Sequence, residues 1–334
     1  MGKFFCIYKG REYDDAHRTT EHIVPFAVGG SDDLVTRDVC KIANDIAGSK
    51  WDAPLINHQM IELARWSRKI ASKDGHVPDL HFEGPMTGRD DDAPSRGYMT
   101  LGADGTNEVH SYPALDWDWE NNSVNIRCDA EDYDAVMQTV RERLAKKGLT
   151  MPDDATLNAT RRSVIYQPTI HAPRKWDLHG MHPAFVKMAL GIAHKVFGHR
   201  WSKGATADLF RRYLWSSPRE RAALEMKGSI WPGTFLGDRA NRPRLKDLIA
   251  VTDDHHEFLI FSPGPRKLAF AGVLFGEYDA ILDLGDDTCG FAPQVGEVFV
   301  IDTRTRDVRR RSFSDHIAAL HTPWITGWIP PRVA

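Results

Sequence analysis

The sequence predicts an α+β protein: a small N-terminal module, a larger mixed region with central helices, and a C-terminal antiparallel β-meander. Three observations carry this. The first seventy residues alternate short apolar runs with turns before the spacing becomes helical. The middle of the chain holds strongly apolar helical patterns, and the last third is rich in β-formers between Gly, Pro and Asp breaks. The expected divisions are residues 1–70, 71–250 and 251–334. Of 334 residues, 42% are hydrophobic and 27% charged, enough for one or two cores. That balance excludes a disordered, collagen-like or disulfide-framework protein.

The elements follow in order. Phe4 to Tyr8 reads as a strand ending at Lys9-Gly10, and His22 to Pro25 as a second, with Gly29-Gly30 as a sharp turn. From Val39 the pattern predicts a helix with Val39, Ile42, Ala43 and Ile46 on one side and Gly48 as its cap. A second helix spans about Asn57 to Ile70. Residues 84–97 read as an acidic, turn-rich boundary loop, followed by a hairpin from Tyr98 to Tyr112. Asp129 caps a helix through Leu144, and Asp153 to Ser163 reads as loop. Pro183 opens a strongly apolar helix that Gly198 stops, and Leu209 to Leu214 belong to another. Glu257–Phe261, Leu268–Leu284 and Val298–Asp302 supply the meander strands.

Net charge is -3, so any nucleic-acid site has to be a local basic patch. Four scattered cysteines do not make a secreted scaffold. The N-terminal apolar run is too short for a signal peptide. The longest apolar stretch, Leu268 to Phe275, falls far below the roughly 20 residues of a membrane span. The expectation is a cytoplasmic protein with no membrane partner.

The chemistry concentrates in Thr20-Glu21-His22-Ile23-Val24-Pro25, Gly29-Gly30 and Asn44. Adjacent strand residues diverge, so one of Glu21 and His22 can hold a metal while the other faces substrate. A carboxylate and an amide oxygen suit Mg²⁺ or Mn²⁺. A neutral histidine nearby can deprotonate water. That is equipment for phosphodiester hydrolysis.

EHIVPFAVGG, followed by Asn44 and then by Gly48 and Asp52, resembles the HNH endonuclease family with its ββα-metal fold. The likeness covers about residues 3–55. It implies that His22 is the general base and that Glu21 and Asn44 hold one divalent metal. Asp32 or Asp33 stands where the family's central Asn braces the loop. Many relatives carry two C-x-x-C pairs for structural zinc. Here only Cys6 and Cys40 remain, so no structural zinc is expected, although the fold would bring those two together with Ile7, Val39 and Ile42 packed around them.

Other candidates weigh less. Asp52 reads as a turn or cap residue rather than a ligand, and His255-His256-Glu257 as a solvated turn. His194 and His199 are five apart, off the i,i+4 face of helical metal sites. Arg65, Arg68 and Lys69, and the run Arg309, Arg310 and Arg311, are candidate phosphate contacts or solvated faces. The resulting expectation is a metal-dependent endonuclease acting on nucleic acid, with DNA favoured by the resemblance, in a phage, mobile-element or defence setting. One such site cuts one strand, so double-strand cleavage would call for a homodimer or two sequential events, and a regulated effector would need a partner to be active. The alternative is an inactive nucleic-acid-binding or structural protein with a degenerate HNH module.

Overall fold

The computed structural model describes residues 2–87, 95–121, 123–160, 169–172, 178–224, 254–264, 266–276, 278–286 and 296–321. It is mixed α+β with antiparallel sheets. Two compact units divide the chain: Met1–Val77 with Asp177–Ala334, and Pro78–Trp176. The N-terminal residues thus share a unit with the C-terminal sheet instead of standing apart as residues 1–70.

In the first unit, β1 (Lys3–Cys6) pairs antiparallel with β2 (Arg11–Asp14). Strand β3 (Arg18–His22) pairs antiparallel with β4 (Val35–Cys40), with a bulge between Thr19 and Glu21. The strand expected over His22–Pro25 therefore lies earlier. Strand β4 runs directly into α1 (Lys41–Ile46), a π-helical stretch over Ala47–Asp52, and α2 (Ala53–Ile56). Two expectations change here. Val39 lies near the end of a strand rather than opening a helix, and Gly48 does not stop one, because the wider π turn carries the chain on. Ile42 falls at the outward side of the shifted helix and is 59% exposed, while Ala43 takes the core position. Helix α3 (Gln59–Arg68) matches expectation and closes at Lys69, which adopts φ 57°.

The second unit holds β5 (Leu80–Thr87), β6 (Ser95–Leu101) and β7 (Asn107–Ser111) in one antiparallel sheet. Residues 84–87 and 95–97 of the expected boundary loop are thus strand, and 88–94 lie outside the described residues. A hairpin of β8 (Ala114–Asp118) and β9 (Ser123–Arg127) precedes α4 (Tyr133–Lys146). Helix α5 (Asp154–Thr160) replaces part of an expected loop, and β10 (Thr169–Ile170) pairs with β5.

The chain returns to the first unit with α6 (Leu178–Phe197), which contains Pro183 rather than starting there. Gly198 ends it at φ 68°. Helices α7 (His199–Ser202), α8 (Ala205–Trp215) and α9 (Pro218–Ala223) follow. The C-terminal sheet is antiparallel: β11 (His255–Gly264), β12 (Lys267–Leu274), β13 (Tyr278–Asp286), β14 (Glu297–Asp302) and β15 (Val308–Ser312), in the order β13-β12-β11-β14-β15. Helix α10 (Phe313–His321) ends the described chain. His256 and Glu257 are buried strand residues, not a solvated turn.

Helix α6 is apolar on nearly every side because its residues 183–194 are buried on every side. Phe185, Met188, Leu190 and Ile192 are buried in one cluster with Ile7, Ile23 and Trp51 from the N-terminal segment and Phe258, Phe270 and Phe299 from the sheet. Each such side chain contributes about 1.5–3 kcal/mol by leaving water. No described helix is long and apolar enough to cross a membrane.

Candidate functional site

The β3–β4 hairpin sorts its side chains by the two-residue period of a strand. Glu21 faces inward and is 5% exposed. His22 faces the other way, toward the loop that joins the strands. That loop turns through Pro25, a 3-10 turn over Phe26–Val28 and Gly29 at φ 96°. At Gly30 a Cβ would lie 2.1 Å from the Val24 carbonyl oxygen, so only glycine fits. The tight return brings Asp32 back to the strand. Its Oδ1 lies 2.8 Å from His22 Nε2, and this hydrogen bond holds the Asp32 carboxyl below the ordinary range. The Phe26 ring stands edge-on to the imidazole at 5.5 Å. Asp33 makes no such contact; its N–H donates to Ser31 Oγ.

Two residues of the distant C-terminal region hold this loop. Arg306 donates to the carbonyls of Phe26 (2.7 Å), Gly30 (2.9 Å) and Ala71 (2.7 Å), with its guanidinium 3.6 Å over the Phe26 ring. It does so at φ 65°, a conformation that costs an L-residue about 1–2 kcal/mol. His256 Nε2–H donates to the Val28 carbonyl at 2.7 Å, and its Nδ1 accepts the Phe275 N–H at 3.1 Å. Burial drives His256 down to about 4. Sequence reasoning passed over both roles, since nothing local marks a partner more than two hundred residues away.

On the inner face, the Lys187 ammonium lies 2.5 Å from Glu21 Oε1 and 2.8 Å from Asp52 Oδ2. It also donates to the His22 carbonyl at 2.8 Å. Burial raises both Glu21 and Asp52. Burial acts to lower Lys187, but the two carboxylates outweigh it and hold the group raised. Tyr8 Oη and Asp52 Oδ1 are buried beside this triad without hydrogen-bond partners. Asp52 is therefore an interior charge rather than a turn residue. The one sequence signal for Lys187 was a lysine inside an otherwise apolar helix.

Asn44 sits on α1 and donates from Nδ2 to the Thr20 carbonyl (3.2 Å) and Thr19 Oγ1 (3.3 Å). Its Oδ1 is the polar atom left for other partners. Glu21 does not join it. A hard divalent cation needs a carboxylate with lone pairs beside water, and the Glu21 carboxylate is buried against an ammonium. The residues do not fit a Mg²⁺ or Mn²⁺ ion held jointly by Glu21 and Asn44.

Cys6 and Cys40 are neighbours, with sulfurs 3.6 Å apart and the Cys40 N–H donating to Cys6 Sγ at 3.3 Å. Both are free and buried. Burial pushes the Cys6 thiol up to about 11, which makes it a small apolar side chain rather than a reactive one. Ile7 and Val39 pack around them as expected; Ile42 does not.

The basic candidates separate. Arg65 is 4% exposed and donates to Ser72, so it is an interior strut and not a phosphate contact. Arg68 lies over the Phe275 ring and Lys69 over Trp66. Arg309, Arg310 and Arg311 lie on the edge strand β15, where Arg310 makes a two-pronged pair with Glu297 at 2.5 and 2.6 Å. His194 and His199, dismissed on spacing, converge on Asp38, because Gly198 breaks the helix between them. Burial pulls His194 below its ordinary value.

No protein-family model matches this chain, and neither a curated protein nor a solved structure matches it.

Proposed function

We propose that the protein hydrolyses phosphodiester bonds of nucleic acid, with His22 as the general base and Asp32 as the residue that positions it. The supporting observation is the His22–Asp32 pair held at the mouth of a two-stranded hairpin. With Nε2–H donating to Asp32, the neutral ring leaves Nδ1 free to take a proton from water. The activated water attacks the phosphorus, the bond to the leaving oxygen breaks, and that oxygen collects a proton. Lys187 fixes the strand from behind by holding the His22 carbonyl. Arg306 fixes the loop from the other side. Mg²⁺ or Mn²⁺ enters as an assay variable, since the expected ligand pair does not fit.

The test is nicking of supercoiled plasmid in Mg²⁺ and in Mn²⁺, with single-stranded DNA and RNA alongside. The parent protein is expected to cut, and an EDTA arm reads whether a divalent metal takes part. His22→Ala should lose about 10²–10⁴-fold. Cleavage by His22→Ala at the parental rate sinks the proposal.

One observation favours a second reading, a binding protein without catalysis: Glu21 is tied to Lys187. Retained DNA binding by gel shift, with no cleavage in any metal, would select it.

A further inference from the structure

We propose that Asp38, His194 and His199 bind a single divalent transition-metal ion, at a site separate from His22 and Asn44. The ligands come from β4, from the last turn of α6 and from the first residue of α7. Their coordinating atoms all lie within 4.8 Å of one another. His194 Nε2 is 3.0 Å and His199 Nε2 3.5 Å from the same oxygen, Asp38 Oδ2. Tetrahedral ligands on bonds of about 2.1 Å stand about 3.4 Å apart, so both histidine–carboxylate separations are already close to those of a filled site.

The surroundings supply the second argument. His194 Nδ1 lies 2.7 Å from Ser202 Oγ, which itself lies 3.1 Å from the Gly198 carbonyl. The arrangement is that of a metal-binding histidine whose other nitrogen is fixed by a buried hydroxyl. Ser202 is fully buried. Among the described residues Arg18 also faces Asp38, 3.9 Å from Oδ1 rather than Oδ2. The Phe5 ring edge holds the His199 imidazole in place at 5.9 Å.

Two imidazoles and one carboxylate select Zn²⁺, Co²⁺ or Ni²⁺ over Mg²⁺. The His199 side chain is 50% exposed, so a water can complete the coordination. The ion would tie β4, the partner strand of His22, to the α6–α7 corner.

The experiment is a Co²⁺ titration of the full chain followed by visible d–d absorption, with Zn²⁺ competition and equilibrium dialysis. One ion per chain is expected. His199→Ala should weaken binding at least tenfold, and Ser202→Ala by about 10–100-fold. His22→Ala and the Cys6→Ser/Cys40→Ser double variant should bind as the parent does. The proposal is overturned if no ion is taken up, in which case a proton on Nε2 fills the gap. It is equally overturned if His199→Ala binds unchanged or if either control variant loses the ion.

Discussion

Glu21 and His22 are consecutive, and the two faces of strand β3 give them opposite surroundings. The outer face carries an imidazole paired with an exposed carboxylate, Asp32, which is 78% exposed. The inner face carries a carboxylate paired with Lys187, which is 1% exposed. On the outer face the pair is cheap to make and easy to break, as would suit the proposed general base. On the inner face the groups are buried from solvent, so each charge depends on the others. Two consecutive residues are thus divided by the pleat into a solvated half and a buried half.

The inner half should break hardest. Lys187→Met leaves two acids without a counter-ion and should cost about 3–5 kcal/mol in urea denaturation. The triple variant Lys187→Met/Glu21→Gln/Asp52→Asn should recover much of that. A single variant as stable as the parent would show that the triad carries no structural weight.

His256 sharpens the comparison through pH. Its folded value is about 4, against the ordinary 6.5. Below about 6.5 the unfolded chain takes a proton that the folded chain refuses. Stability is therefore full above that pH and falls as pH drops toward 4, by about 3 kcal/mol in all. Urea midpoints measured between pH 7 and pH 4 should show this fall, and His256→Gln should remove about one proton from its slope. An unchanged slope in the variant assigns the acid sensitivity to other groups.

Arg306→Met removes three hydrogen bonds, two to the loop carbonyls of Phe26 and Gly30 and one to Ala71, and should cost about 2 kcal/mol, less than loss of Lys187. Hydrogen exchange at Val28 to Gly30 should quicken at the same time. If exchange there stays as in the parent, the loop is held by its own turns.

The smallest effect on stability belongs to the outer pair. Asp32→Asn should leave the denaturation midpoint unmoved, because the carboxylate is solvated. Cleavage should fall to a rate between those of the parent and His22→Ala. A midpoint that drops with Asp32→Asn would make the residue a structural brace.

Local pattern made much of the fold legible. The α3 and α4 helices, the β6–β7 hairpin and the C-terminal strands announced themselves through periodicity and breakers. The neighbourhood of Cys6 and Cys40 was legible too, through the resemblance of residues 3–55. Val39 and Gly48 misled because apolar spacing over a few residues fits a strand end as well as a helix, and a π turn has no signature of its own. His255-His256-Glu257 misled because polar residues next to each other look solvated until a sheet closes over them.

The sequence by itself determined the α+β class and most element types. These depend on contacts between residues close along the chain. Only the tertiary structure decided what each group does. Lys187 meets Glu21, Arg306 meets the glycine loop, and His194 meets Asp38 across 150 residues or more. Long-range partners of this kind arise when separate elements pack into a shared core, and no local periodicity encodes which charge will be enclosed with which.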